Sequence, residues 1–77
     1  MTLKIISAEK ILFEGEASSV TLPGEMGQFT VLPHHASLVS TLVSGKILYK
    51  SGTGEHSVDV AGGIADVDND VVSVCVY

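Results

Sequence analysis

Turn-forming residues interrupt this sequence about every ten positions, which leaves little room for a long helix. The interruptions are "PGEMG" (23–27), "SGK" (44–46), "SGTGE" (51–55), "GG" (62–63) and "DND" (68–70). Between them the side chains alternate in character. Leu3 and Ile5 flank Lys4, and Val20 and Leu22 alternate with Ser19 and Thr21. Val58 and Val60 flank Asp59, while Val72, Val74 and Val76 share one face of "VVSVCVY". Successive residues of a strand point to opposite faces, so an apolar residue at every second position makes a half-buried strand. Valine and isoleucine pack well on such a pleated surface. The pattern predicts one all-β domain over residues 1–77, a small antiparallel β-sandwich of two packed sheets with about ten short strands. One segment departs from it. In "HHASLVSTLVS" (34–44), Leu38, Val39, Leu42 and Val43 recur at helical spacing, but Ser, Thr and Val disfavour a helix and the expectation is extended chain.

A chain of 77 residues buries only about 60% of the surface its unfolded form exposes. Its hydrophobic fraction is 45% and its mean hydropathy +0.43, so apolar surface is expected to remain outside the core. The usual use of such a patch is a protein partner. Charge narrows the partner further. Nine acids stand against four lysines, with no arginine, for a net charge of −5. Phosphate neutralisation drives nucleic-acid affinity and arginine makes the commonest base contacts, so nucleic acid is a poor partner. The pI of about 4.8 opposes docking on anionic lipid. No apolar run approaches the ~18 residues of a membrane span, and no signal-peptide pattern is present, so the chain reads as cytoplasmic without direct membrane insertion. Cys75, the lone cysteine, lies between Val74 and Val76 and has no cation near it in sequence. It is expected to be a buried, inert thiol.

The histidines suggest metal chemistry first. Zinc ligands converge, commonly from two short-spaced pairs, whereas His34 and His35 are adjacent and on a strand would point to opposite faces. His56 belongs to a separate, turn-flanked segment. Asp66, Asp68 and Asp70 alternate as calcium ligands can, but the glycine and later bidentate acid of a calcium loop are missing, so a solvated hairpin is expected. "GEMGQ" (24–28) is followed by neither a lysine nor a helix, so it is no phosphate loop. No nucleophile elbow, cysteine–histidine pairing or carboxylate pair stands out. The residues therefore name no catalytic group, metal or cofactor. A free-standing β-sandwich that binds a ligand or protein is the competing class. Such modules usually display aromatic platforms, and this chain has only Phe13, Phe29, Tyr49 and Tyr77, with no tryptophan.

The order of the punctuation carries a resemblance. The chain runs "KIISAEKILFEGEASSVTLPGEMGQFTVLPHHASLVSTLVSGKI" and later "VAGGIADVDNDVVSVCV". Ser7, Ala8 and Glu9 fill an "SxE" step; Pro23 to Gln28 and "VLPHHASL" fill a glycine turn and an "LPGHAPL"-type run. Leu42 and Gly45 match an "LxxG" element, and "AGGIADV" matches a glycine-pair strand before a valine-rich last one. Taken in order over the whole chain, this resembles the epsilon subunit of the F-type ATP synthase, in its N-terminal β-sandwich domain. Three positions depart from the pattern: His34 where glycine is common, Ser37 where proline is, and Gln28 where many members carry an acid. Histidine tolerates a left-handed backbone better than most residues, should position 34 demand one.

The resemblance implies a non-catalytic rotor subunit of the central stalk, on the cytoplasmic face of the cell membrane and peripheral to it through the complex. It would couple c-ring rotation, driven by proton flow, to the gamma subunit for ATP synthesis. The partners implied are the gamma subunit and the c-subunit ring. The loop Glu25, Met26, Gly27 and Gln28, with His35, would face the ring. Ser7, Ala8, Ile64 and Val74 would face gamma. The family's C-terminal helical hairpin, used for inhibition or ATP sensing, is expected to be absent from these 77 residues.

Overall fold

The structure, a computed structural model, describes residues 1–77. It contains nine strands and no helix: β1 Thr2–Ser7, β2 Ile11–Glu16, β3 Ser19–Gly24, β4 Gly27–Val31, β5 Leu38–Leu42, β6 Gly45–Ser51, β7 Gly54–Val60, β8 Gly63–Asp68 and β9 Val71–Val76. The strands fall into two layers, ordered β2-β1-β9-β8-β5 and β4-β3-β6-β7. A single residue pair, Gly24 with Leu42, joins β3 to β5 and makes the two layers one curled sheet. The pairing is antiparallel throughout except between β1 and β9, which run parallel over Thr2–Ser7 and Val71–Val76. The fold is the expected small β-sandwich, with this one parallel pair as its departure from antiparallel pairing. The pair arises because the first and last strands enter the layer side by side from opposite ends of the chain, with no local turn to set their direction.

The alternation read from sequence places the core. Leu3 and Ile5 of β1, Ala65 and Val67 of β8, and Val72 and Val74 of β9 face inward from one layer. Val20, Leu22, Val31 and Ile47 meet them from the other. Burying each such valine, leucine or isoleucine contributes about 1.5–3 kcal/mol. The side of the sandwich between β2 and β7 carries no ladder. There the Phe13 and Tyr49 rings lie 4.5 Å apart, and His56 stacks on Tyr49 at 5.2 Å. No buried side-chain nitrogen or oxygen lacks a partner.

The turns follow their residues. Asn69 (φ 51°) and Asp70 (φ 61°) form the two-residue link between β8 and β9, and both central positions of a type I′ turn need positive φ. Asn and Asp tolerate that region because their short polar side chains bond locally. Segment 38–42 is strand, as expected over the helical alternative, because β5 pairs along its full length with β8. The two histidines lie in a turn before β5, not on a strand, and His34 takes φ 64°. Cys75 also differs from expectation. It is exposed, because it alternates out of phase with the buried Val72, Val74 and Val76.

Candidate docking surfaces

The outer faces of the two layers differ in chemistry. Across β5, β8, β9, β1 and β2, cross-strand register aligns Thr41, Ile64, Cys75, Ile6 and Ile11 in one row. The adjacent row on that face is Val39, Asp66, Ser73, Lys4 and Glu14. One end of the face is therefore apolar and grades into a charged end. Ile64 is 54% exposed, and Ile11 is similarly open. Around this apolar end, Ile6, Ala8, Ile64, Cys75 and Tyr77 line a shallow groove of about 410 Å³.

The opposite layer presents Thr30, Thr21, Leu48 and Ser57 in a row. Thr21 and Thr30 hydroxyls bond each other at 2.9 Å. Lys46 donates to Asp59 at 2.7 Å, and Lys50 lies 4.0 Å from Glu55. Its one large exposed apolar side chain is Leu48, and apart from Pro23 the remaining positions are polar or charged. Such a surface is satisfied by water and by its own pairs.

Three of the four residues expected to face a stalk partner come together at the groove: Ser7, Ala8 and Ile64. Ser7 has a local task as well. Its hydroxyl accepts bonds from the Glu9 and Lys10 amides at 3.3 Å each, which folds the β1–β2 turn and sets Ala8 at its tip. Val74 does not belong with them. It is 1% exposed and packs in the core, so no partner can reach it without opening the sandwich. The outward residue at that point of β9 is Cys75. Ile6, Ile11, Cys75 and Tyr77 are the members of the surface missing from the sequence reading. The alternation of "VVSVCVY" already carried the signal for Cys75, since a buried Val74 turns its neighbour outward. Tyr77 is held over the groove by its backbone, with its carbonyl accepting from Ala61 N–H at 2.7 Å and its amide donating to Gly62 at 3.1 Å.

The second expected region is the β3–β4 hairpin. Glu25 and Met26 form its tip, and Met26 is 98% exposed. The hairpin base is fixed to β5, because the Glu25 amide donates to the Thr41 carbonyl and the Val43 amide to the Pro23 carbonyl, both at 2.9 Å. Gly27 (φ 122°) allows the sharp return, and Gly24 leaves room for the Phe29 ring, whose nearest atom would lie 2.7 Å from an added Cβ. Gln28 follows on β4, exposed. His35 does not join this group. It precedes the start of β5, whereas the hairpin is bonded near that strand's end, about 10 Å further along. Its amide closes a turn onto the Leu32 carbonyl at 3.2 Å. Its Nδ1 lies 2.7 Å from the Ala36 carbonyl, which can only accept, so Nδ1 carries the proton and Nε2 is left for solvent.

Electrostatic perturbation centres on Asp70. The His34 backbone N–H, donating at 2.8 Å, holds its carboxyl below the usual aspartate range. Desolvation opposes this, while the Met1 ammonium at 3.8 Å and the His34 ring at 3.9 Å reinforce it. No three His, Cys, Asp or Glu side chains gather closely enough to hold a metal ion. No helix is long and apolar enough to cross a membrane.

A two-layer β-sandwich, with one outer face apolar at one end and the other mostly polar, defines a small all-β domain. Over residues 1–77 the sequence matches the family described as ATP synthase, delta/epsilon chain, beta-sandwich domain, and the chain belongs to that family. It is 39% identical over 74 residues to the ATP synthase epsilon chain of Leptospira borgpetersenii serovar Hardjo-bovis, covering 96% of this chain and 58% of that one. The chain thus spans little more than half the length of this relative. Two solved structures share its fold. A chain from the central stalk/c-ring structure of the Tetrahymena thermophila mitochondrial ATP synthase aligns with a TM-score of 0.85 at 11% identity, over 99% of this chain and 62% of that chain. One from the Euglena gracilis mitochondrial ATP synthase, in an OSCP/F1/c-ring structure, aligns at 0.88 and 22% identity, over 96% and 48%.

Proposed function

We propose that this domain is a non-catalytic rotor part of an ATP synthase, passing c-ring rotation driven by proton flow to the gamma subunit. In this reading it sits at the cytoplasmic face of the membrane, peripheral through its partners. Gamma covers the apolar row Thr41–Ile64–Cys75–Ile6–Ile11, and the exposed hairpin Glu25–Gln28 meets polar loops of the ring. The observation that carries the reading is that row, the apolar end of an outer face whose counterpart on the other layer is mostly polar. Membership of the ATP synthase delta/epsilon family, and a fold shared with a chain of a central stalk/c-ring structure, support a place in the rotor.

Stiffness suits the domain to this role. A coupling piece must transmit force without yielding, and here two hydrogen-bonded layers pack face to face with no unsatisfied buried polar side chain. The parallel β1–β9 pair joins the chain's two ends inside one layer, so load applied to the groove is shared by strands distant in sequence. None of the nine elements is helical, and the reading gives these residues no inhibitory or nucleotide-sensing part. Gln28 stands without charge in the hairpin, so its contact with the ring is a hydrogen bond and not an ion pair.

Co-purification tests the reading. Tagged chain expressed with gamma and c subunits is expected to bring down both, and to lose the ring when Met26 is replaced by aspartate and Gln28 by alanine. Recovery of neither partner would refute the rotor assignment. Recovery of gamma alone, unaffected by the hairpin changes, would refute the hairpin contact.

A further inference from the structure

The longest connection in the fold, Leu32 to Ser37, is exposed at every residue. Its backbone forms one internal bond, His35 N–H to the Leu32 carbonyl at 3.2 Å. A six-residue exposed segment held only this way should sample many conformations, since fixing each residue costs about 1–2 kcal/mol of entropy. Two further bonds tie it to the body, and both end on the β8–β9 turn. The His34 amide donates to Asp70 Oδ1 at 2.8 Å, and the Ser37 hydroxyl donates to Asp68 Oδ1 at 2.7 Å.

The acceptors are themselves held. Asp70 lies in the left-handed region of the type I′ turn, with its carbonyl accepting from Thr2 N–H at 3.1 Å and its carboxylate 3.8 Å from the Met1 ammonium. Asp68 pairs with Val71 at the mouth of the same hairpin. At His34 the backbone takes φ 64°, and its N–H meets the Asp70 carboxylate there. Two carboxylates of one rigid turn thus grip the connection at two points three residues apart.

We infer that Asp68 and Asp70 act as a two-point latch, with Ser37 and the His34 amide as its catches, fixing the Leu32–Ser37 connection to the strands that carry the docking row. The connection then moves with β8 and β9 as one body, and Leu32 and His35 are presented in a single arrangement. Asp68 and Asp70 are positioning residues, acting through the segment they hold. The latch stands whether or not His35 ever meets a partner.

Amide hydrogen exchange by NMR tests this on the intact chain. Ser37→Ala and Asp68→Ala are each expected to raise exchange at His34, His35 and Leu38 about five- to tenfold, the range of one charge-assisted hydrogen bond. The double variant is expected to match either single one, because both remove the same bond. Ser37→Thr keeps the hydroxyl and is expected to keep wild-type exchange. Core amides at Val20 and Val72 should remain far more protected than the segment, and the melting temperature should fall by no more than about 4–10 °C, the size of that one bond, which serves as the folding control. Unchanged exchange in the segment, multiplicative effects in the double variant, or Ser37→Thr behaving like Ser37→Ala would each overturn the latch.

Discussion

Gly63 opens β8 against β9, and replacing it with alanine tests how tightly the layer beside the groove is built. An added Cβ would lie 2.2 Å from the Cys75 carbonyl oxygen and 3.0 Å from Val76 Cα. Both are backbone atoms, so no side-chain rotation relieves the clash. Reaching ordinary contact requires the end of β9 to move by about 1 Å, since interiors packed at crystal density have no slack to absorb it. That shift strains the Ala61–Tyr77 and Tyr77–Gly62 bonds, at 2.7 and 3.1 Å. Overpacking costs about 1–3 kcal/mol and each weakened hydrogen bond about 1. A total of about 3–5 kcal/mol is expected, against about 4–12 for a domain of this size. The melting temperature should then fall by roughly 12 °C or more. Gly52→Ala is the control, because its Cβ meets nothing within 4 Å and only its φ of 62° is unfavourable. That change should cost about 1 kcal/mol. Thermal and urea unfolding of both variants decide the matter. If Gly63→Ala proved no more damaging than Gly52→Ala, the close β8–β9 approach would be wrong.

Leu22, fully buried between the layers, should cost about 2–5 kcal/mol on replacement by alanine, read from the urea midpoint at unchanged slope. Asp70 titrates below the usual aspartate value because of the His34 N–H, with the Met1 ammonium (itself 3.4 Å from Glu16) and the His34 ring adding to it. A depressed folded pKa gives stabilisation that is complete above about pH 4 and is lost as pH falls through the folded value. The difference in urea midpoint between the wild type and Asp70→Asn should therefore be steady near neutrality and shrink below about pH 4. Cys75, exposed in the groove, should react with a maleimide in the native protein without denaturant, and bound gamma should slow that reaction.

Local periodicity carried most of what the sequence told. Leu3, Ile5, Val20, Leu22, Val72 and Val74 all alternate with polar or outward neighbours, and all are core. Turn chemistry was as legible, because the stretches "SGTGE" and "DND" do turn, with Gly52, Asn69 and Asp70 at positive φ. The errors came from setting that same alternation aside. Reading Cys75 as buried and Val74 as an interface residue ignored that the two must face opposite ways. Long-range pairing was not legible at all. Nothing near Thr2 signals that it will lie parallel to Val71, nor that β5 will separate His35 from the Glu25–Gln28 hairpin. Those facts depend on how the layers close, which no local pattern encodes.

The central claim is that the apolar outer face, and not its polar counterpart, docks on gamma. Ile64 and Leu48 occupy equivalent outward positions on the two layers, 54% and 43% exposed. Covering the exposed half of Ile64 contributes about 1–1.5 kcal/mol, and burying an unpaired carboxylate there costs about 2 or more. Equilibrium binding of purified chain to gamma should therefore weaken about 100-fold for Ile64→Asp and stay within about twofold for Leu48→Asp, a change confined to exposed surface. Equal losses from the two substitutions, or a loss confined to Leu48→Asp, would contradict the account.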